Sequence, residues 1–406
     1  MQIVLNTWTG LGLPAGIGHY AQQLASALQR TAADGDTVRV FPRGVWAQWY
    51  QWWMSVRRVP GVSAQLKYSS LSSWRGLVRC WPAALRSWWS TSVREALRWA
   101  LGRSLRRYLR AVRAELYLEP NFVPLCWDVP VIITVHDLSP ILYPHWHPDY
   151  RVRWLEKHLP RSLACAQRVL TVSEWTRQEL VRHCGMSPER ITVTYPGMRN
   201  QFRPFSRHTA RRMLSRWGLP TDFILYVGTL EPRKNLERVL RTFLRLPRSC
   251  RRAVPFVLAG QYGWGAASLA ELIAATGPDE GIYPLGYVPE KWLPWLYNAA
   301  RALVYPSYYE GFGLPPLEML ACGGTVVVAD LPVFQETLGS LALRVPADDV
   351  DAWHRVLYRL VVTDEFAHSE PNPLAVAWAR RFSWENCALQ TWRTFKSLPT
   401  IQRLAA

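Results

Sequence analysis

Four stretches of the chain combine residue types whose spacing can do chemistry. In Tyr226-Val-Gly228-Thr-Leu-Glu-Pro-Arg233-Lys234-Asn235, two adjacent cations follow an apolar run and precede a helical pattern. Arg forks onto oxygens and Lys acts as a point charge, so the pair suits a diphosphate, and the dipole of the next helix adds to both. Gly228 lets a ligand approach the backbone. In Tyr305-Pro-Ser-Tyr-Tyr-Glu310-Gly-Phe-Gly-Leu-Pro-Pro-Leu-Glu318, Gly311 and Gly313 free the backbone, and Pro315 and Pro316 suit the start of a helix, where no N–H is needed. Glu310 and Glu318 are poor phosphate ligands but good acceptors for sugar and ribose hydroxyls. His136-Asp137 ends an apolar run, so His136 can meet a sugar hydroxyl or a developing charge, or be a structural His satisfied by backbone. Gly16 and Gly18 stand before a helical pattern and can bring backbone N–H groups to an anion, although an ordinary glycine turn accounts for them equally well. Gly10, Gly12 and Ala15 match a weak dinucleotide fingerprint, which Pro14 and the two further glycines fit poorly.

These loops need rigid elements behind them, and the pattern supplies them. Short Val/Ile/Leu-rich runs alternate with helical segments. Strands are expected at Ile3–Leu5, Val38–Phe41, Leu116–Leu118, Val131–Val135, Val169–Val172 and Ile191–Thr194. A second set is expected at Ile224–Val227, Phe256–Ala259, Tyr283–Leu285, Leu303–Tyr305, Val326–Ala329 and Leu341–Val345. Helices are expected at His19–Arg30, Glu174–Cys184, Leu236–Leu246, Ala266–Ala275, Glu290–Ala300 and Val350–Val361. Continuous apolar strands joined by helices indicate parallel sheets covered on both faces. The class is α/β, with two doubly wound domains, 1–200 and 201–406, meeting near Tyr195–Pro204. Ligands of such sheets bind beyond the carboxyl ends of the strands, and the cleft between two such domains is the expected pocket.

The 406 residues carry 48 basic and 30 acidic side chains, a net charge of +18. Residues 41–113 hold 14 Arg/Lys against the single acid Glu95, together with nine of the 22 Trp. This reads as a basic, Trp-rich helical insertion, with Val93 to Arg113 apolar at helical spacing. Such a segment suits an anionic membrane surface; inward packing with solvated Arg, or a stacking groove for nucleic acid, also fits the composition. The seven Cys form no C-x-x-C pair, which argues against a disulfide scaffold or zinc ribbon and fits a reducing cytosol. Met-Gln-Ile-Val-Leu-Asn is too short and uncharged for a signal peptide, and no run of about 18 apolar residues spans a membrane. The pairs His145/His147 and Asp348/Asp349 lack companions at metal-ligand spacing and read as surface loops.

The motifs together resemble the retaining glycosyltransferases of family 4, which have the GT-B architecture, and among them bacterial mannosyltransferases of O-antigen and exopolysaccharide assembly. The resemblance rests on Gly16-Ile-Gly-His-Tyr, Val135-His-Asp-Leu, Thr171-Val-Ser-Glu-Trp-Thr, Val227-Gly-Thr-Leu-Glu-Pro-Arg-Lys-Asn-Leu-Glu, Leu285-Gly-Tyr-Val, Tyr309-Glu-Gly-Phe-Gly-Leu-Pro and Arg381-Phe-Ser-Trp-Glu. It covers 1–30 and 130–395, and 41–113 match nothing in it. It departs from the family at His19, Gly324-Thr325 and Ala329, where Arg, a residue-Pro pair and Ser are commoner.

The resemblance implies roles. Arg233 and Lys234 hold the donor diphosphate, with Gly228 beside them. Glu310 binds the donor sugar, and the backbone of Gly311, Phe312, Gly313 and Leu314 contacts sugar and phosphate. Glu318 binds the ribose and Val288 flanks the base. Gly16 and Gly18 face the phosphate from the first domain, and His136 sits by the transferred sugar. The last helix, near 384–395, crosses back onto the first domain. The implied activity is transfer of a hexose, mannose from GDP-mannose foremost, to a saccharide or lipid-linked acceptor in cell-surface polysaccharide assembly. No metal or cofactor and no nucleic-acid partner is expected, and the place is cytoplasmic, peripheral on the inner face of the membrane. The alternatives are a UDP-hexose donor, a silent membrane-surface binding protein, and a nucleotide-dependent oxidoreductase resting on the Gly10/Gly12/Ala15 string alone.

Overall fold

A computed structural model describes residues 1–8, 16–42, 83–215, 218–363, 366 and 370–399, with only the backbone for 83–94. The Gly10/Gly12/Ala15 string and most of the basic, Trp-rich stretch lie outside the described residues.

Among the described residues, twelve strands form two six-stranded sheets. The first contains β1 (Gln2–Asn6), β2 (Thr37–Phe41), β3 (Leu116–Glu119), β4 (Val131–Val135), β5 (Arg168–Thr171) and β6 (Ile191–Val193), in the order β2-β1-β3-β4-β5-β6. The second contains β7 (Ile224–Val227), β8 (Phe256–Ala259), β9 (Ile282–Gly286), β10 (Ala302–Tyr305), β11 (Thr325–Ala329) and β12 (Ala342–Val345), in the order β12-β11-β10-β7-β8-β9. Pairing is parallel, for example Ile3↔Val38 and Ile3↔Leu116 in the first sheet and Leu303↔Leu225 and Leu303↔Val326 in the second. The doubly wound expectation holds for both sheets. The second reverses its winding between β7 and β10, the switch point beyond which a crevice forms.

By packing, the chain divides into two compact units. One comprises Met1–Ile133, Cys165–Arg168 and Lys396–Ala406; the other comprises Thr134–Ala164 and Val169–Phe395. In the first unit Ile3, Val4 and Leu5 of β1 and Leu116 to Leu118 of β3 are buried. The helix Gly16–Arg30 contributes Leu24 and Leu28 to this core. The helix Ala83–Ala111 contributes Leu101, Leu105 and Leu109, the spacing expected of one buried stripe. Gly102 lets it lie against the loop backbone, since a Cβ there would meet the Leu125 carbonyl oxygen at 2.8 Å. Its opposite face carries Trp99, 68% exposed, and exposed Arg103, Arg106, Arg107 and Arg110, with Arg106 ion-paired to Asp128 at 3.0 Å.

In the second unit every residue of β7, β8 and β10 is buried. Leu236, Val239, Leu240 and Phe243 of the helix Leu236–Phe243 and Leu357 and Leu360 of the helix Val350–Val361 are buried as well. The helix Asp149–Cys165 goes beyond the sequence expectation. It buries Val152, Leu155, Leu159 and Leu163 at helical spacing although Pro160 lies inside it. Among the described residues no helix is long and apolar enough to cross a membrane.

Candidate active site

The loops after β7 and β10, at the switch point of the second sheet, carry a cluster of four paired charges, Glu231, Arg233, Lys234 and Glu310. Pro232–Lys234 is a single 3₁₀ turn, and Asn235 at φ 54° turns the chain into the helix Leu236–Phe243. The two cations therefore belong to a tight turn between strand and helix. Lys234 is 6% exposed, and its Nζ donates to Glu310 Oε1 at 2.5 Å and to the Tyr305 hydroxyl at 2.8 Å. Arg233 Nη1 lies 3.2 Å from Glu310 Oε2 and donates to the Tyr309 carbonyl at 2.7 Å. Its Nε and Nη2 donate to Glu231 Oε1 at 3.1 and 2.7 Å.

Two cations thus face two acids, and the cluster is formally neutral. Lys carries three N–H groups and Arg five; these contacts leave about one on each for a further acceptor. Burial acts to raise the Glu310 carboxyl, but Lys234 and Arg233 outweigh it and hold the pKa down at about 2. Burial and the neighbouring Arg233 lower that of Lys234. Burial would lower that of Arg233 too, but Glu310 and Glu231 raise it. A cavity of about 530 Å³ opens beside the turn, lined among others by Trp146, Glu231, Asn235, Arg238 and Tyr308.

The segment after Glu310 is held by close packing. A Cβ on Gly311 would lie 1.9 Å from the His136 carbonyl oxygen, so only glycine fits there. Ser173 Oγ donates to the Gly311 carbonyl at 2.6 Å. Gly313, at φ +89°, precedes the helix Leu314–Ala321 and abuts the Phe334 ring. Phe312 is buried against Phe382, with ring centres 5.7 Å apart. The Tyr309 hydroxyl accepts from Leu138 N–H at 3.0 Å and donates to Glu179. Burial lifts Glu179 to about 7.

His136 therefore does lie beside the glutamate loop, through its main chain. Asp137 Oδ1 accepts from Ser139 N–H and Oγ at 3.0 and 2.8 Å. Glu318 lies on the helix Leu314–Ala321, but other partners hold its carboxylate: the Tyr297 hydroxyl at 2.8 Å and Arg199 at 3.1 Å. Val288 is buried just after β9, and Gly228 directly follows β7.

Residues 14–201 match the family described as Glycosyltransferase Family 4, and residues 215–369 match Glycosyl transferases group 1. The O-antigen chain mannosyltransferase B of Escherichia coli is 36% identical over 291 residues, which are 71% of this chain and 76% of the relative. The chain belongs to glycosyltransferase family 4. Sucrose-phosphate synthase of Thermosynechococcus elongatus has the same fold, with a TM-score of 0.70 at 19% identity over 98% of this chain and 99% of its own. HepE of Anabaena, solved with UDP-glucose, gives 0.68 at 18% identity over 98% of this chain and all of its own. The fold is GT-B, and the protein is a glycosyltransferase.

Within this glycosyltransferase, Gly16 and Gly18 lie in the other compact unit. The sequence places both before the helix, whereas the helix begins at Gly16 and buries Gly18 in its first turn. The N–H groups at that end still lack partners within the helix. His147 corrects its reading as a surface loop residue. It is buried, its Nε2 is 3.0 Å from Ser139 Oγ, and burial with Arg151 nearby lowers its pKa to about 4. His145 is exposed, as expected. Among the described residues no group of three or more His, Cys, Asp or Glu could hold a metal ion.

Sequence reasoning missed the partners that set the state of the chemistry-bearing residues. Glu231 stands two residues before Arg233 and Tyr305 five before Glu310, yet neither residue type at those positions signals a role beside the cations. Tyr297 and Arg199 carried no signal, Arg199 because its segment reads as a linker. In the first unit Glu119, at the carboxyl end of β3, is buried and accepts from Asn6 Nδ2 at 2.8 Å and from the Tyr117 hydroxyl at 2.5 Å. Burial lifts it to about 7.

Proposed function

We propose that this glycosyltransferase moves a hexose, mannose from GDP-mannose, to a saccharide or lipid-linked acceptor in cell-surface polysaccharide assembly, with retention of configuration. The observation that carries the reading is the Arg233/Lys234/Glu310 cluster at the switch point of the second sheet. Breaking a glycosyl–phosphate bond develops negative charge on the leaving diphosphate and an oxocarbenium-like sugar. Arg233 and Lys234, fixed before the reaction, stabilise the first without reorganising. Glu310, held ionised, accepts hydroxyls of the donor sugar. Glu318 accepts the ribose hydroxyls and Val288 flanks the base. The N–H groups of Gly313 and Leu314, at the start of the helix, lack partners within it and can meet a phosphate, whereas Pro315 and Pro316 have none. Gly16 and Gly18 are donor-binding residues, and His136 meets the transferred sugar. No metal is needed, because the two cations do its electrostatic work. Mannose is supported by the name of the Escherichia coli relative.

The test is thermal stabilisation by GDP, UDP, dTDP, ADP and their sugar conjugates, since a ligand of the folded state raises stability with its saturation. GDP and GDP-mannose are expected to stabilise, and Lys234→Ala to abolish the shift. A shift with UDP alone would move the donor to a UDP-hexose, and none with any nucleotide would refute the reading. The exposed Trp99 with Arg103 and Arg107 supports a peripheral place on an anionic membrane, on the cytoplasmic side. Failure to bind anionic liposomes at low salt would refute that part.

A further inference from the structure

Arg199 sits in the segment after β6 that the sequence offers only as a linker. Its backbone is fixed: Met198 bridges to Ser383, and a Cβ on the preceding Gly197 would meet Trp384 N at 1.9 Å. From this anchor the guanidinium stacks over the Phe202 ring at 4.8 Å. Nη2 meets Glu318 Oε1 at 3.1 Å and Nη1 pairs with Glu290, in the turn that follows Val288. The Arg199 side chain is 16% exposed and that of Glu318 is 8% exposed. Tyr297 takes the other Glu318 oxygen at 2.8 Å.

A carboxylate offers about four lone-pair sites. Arg199 and Tyr297 use one on each oxygen and leave one on each, the number that a vicinal diol needs. We propose that Arg199 is a positioning residue for nucleotide binding: it fixes the Glu318 carboxylate so that both oxygens present a lone pair to the ribose diol, and through Glu290 it ties that acid to the turn beside the base. This rests on the reading of Glu318 as the ribose acceptor.

The charge balance around Glu318 supplies a pH signature. Burial raises its pKa, Arg199 is the main group opposing that, and Tyr297 opposes it by hydrogen bonding. Glu290 acts with burial, and the Cys322 thiol also faces the carboxylate. With Arg199 replaced by a neutral residue, the acid takes up a proton at higher pH, and the diol loses a charged acceptor.

The experiment measures binding of GDP and UDP, each beside its 2′,3′-dideoxy counterpart, between pH 8 and pH 6. The chains are wild type, Arg199→Gln, Arg199→Lys, Glu318→Gln and the Gln/Gln double variant. Wild type should prefer the ribonucleotide and depend on pH less than Arg199→Gln does. Arg199→Gln should bind the ribonucleotide about tenfold more weakly, a charge-assisted hydrogen bond's worth, and weaken further as pH falls. Its preference over the dideoxy form should shrink, while dideoxy binding stays near wild type. Arg199→Lys should recover part of the preference, and the double variant should be no weaker than Glu318→Gln. The preference is a ratio within one chain, so partial misfolding does not imitate it. If Arg199→Gln keeps the full preference at every pH while Glu318→Gln loses it, the ribose reading stands and Arg199 has no part. If Arg199→Gln weakens ribo and dideoxy forms equally, its role is merely structural and the inference falls. If Glu318→Gln keeps the preference, or wild type has none, the ribose reading itself fails.

Discussion

Lys234→Met removes one of the two cations that hold the Glu310 carboxylate. The buried acid keeps Arg233 at 3.2 Å and loses its 2.5 Å partner, and the Tyr305 hydroxyl loses a donor. A hydrogen bond to a charged group contributes about 1.5–3 kcal/mol, and breaking a buried pair costs about 3–5 kcal/mol. A loss of about 3 kcal/mol at pH 8 is expected, or roughly 6–12 °C in Tm. The pH dependence separates this from generic damage. A carboxyl held at about 2 rather than its ordinary 4.5 stabilises the fold above 4.5 and loses that stability as pH falls towards 2. Its full contribution is about 3 kcal/mol, of which about 1 kcal/mol is gone by pH 4. Urea unfolding at pH 8, 6 and 4 should therefore show the gap between wild type and variant narrowing at the acid end. GDP titration at pH 8 should show affinity falling about 10- to 150-fold, the share of one charged hydrogen bond. A gap independent of pH would refute the assignment of Glu310 to this pair, and unchanged GDP affinity would refute the phosphate clamp.

Three further outcomes are expected. Gly311→Ala should abolish transfer and cost about 1–3 kcal/mol or more in unfolding, because its Cβ would sit 1.9 Å from the His136 carbonyl oxygen; an active, equally stable variant would contradict the packing described. Glu119→Gln should stabilise the protein at pH 8, by about 1–3 kcal/mol, and less at pH 5. Its folded pKa of about 7 exceeds the ordinary 4.5, so the folded state binds the extra proton and stability falls as pH rises between the two; a variant less stable at pH 8 would sink this. His147→Gln should flatten the acid limb of the stability curve between pH 6.5 and 4. The wild-type ring, lowered to about 4, stays neutral in the fold while the unfolded ring charges, so stability falls as pH falls through that window; an unchanged slope between wild type and variant would assign that limb elsewhere.

The strands were legible because parallel strands buried on both faces are near-continuous apolar runs, as in Val326-Val-Val-Ala329. Helix ends were less so. Gly16-Ile-Gly18 reads as a loop, because two glycines lower helix propensity, but the helix starts at Gly16. Pro160 hid the helix Asp149–Cys165, whose apolar stripe was there to be read in Val152, Leu155 and Leu159. The cations and acids of the site announced themselves by type and spacing. Their pairings did not: Arg199 and Glu318 are 119 positions apart, and no local pattern links them. His147 failed for the same reason, since its burial depends on what packs over the loop.

On the donor-binding role proposed for it, the neutrality of the cluster after β7 and β10 makes it a site that reads two features at once. A bare phosphate arriving there finds roughly one N–H on each cation, and it also meets the carboxylates of Glu231 and Glu310 already seated on those cations. Its gain is small, and inorganic anions in the surrounding solution compete poorly for the place. A molecule that carries hydroxyls next to its phosphates satisfies the acid and the bases together. Discrimination against abundant simple anions is thus built into the resting charge balance, before any loop contacts the rest of the ligand.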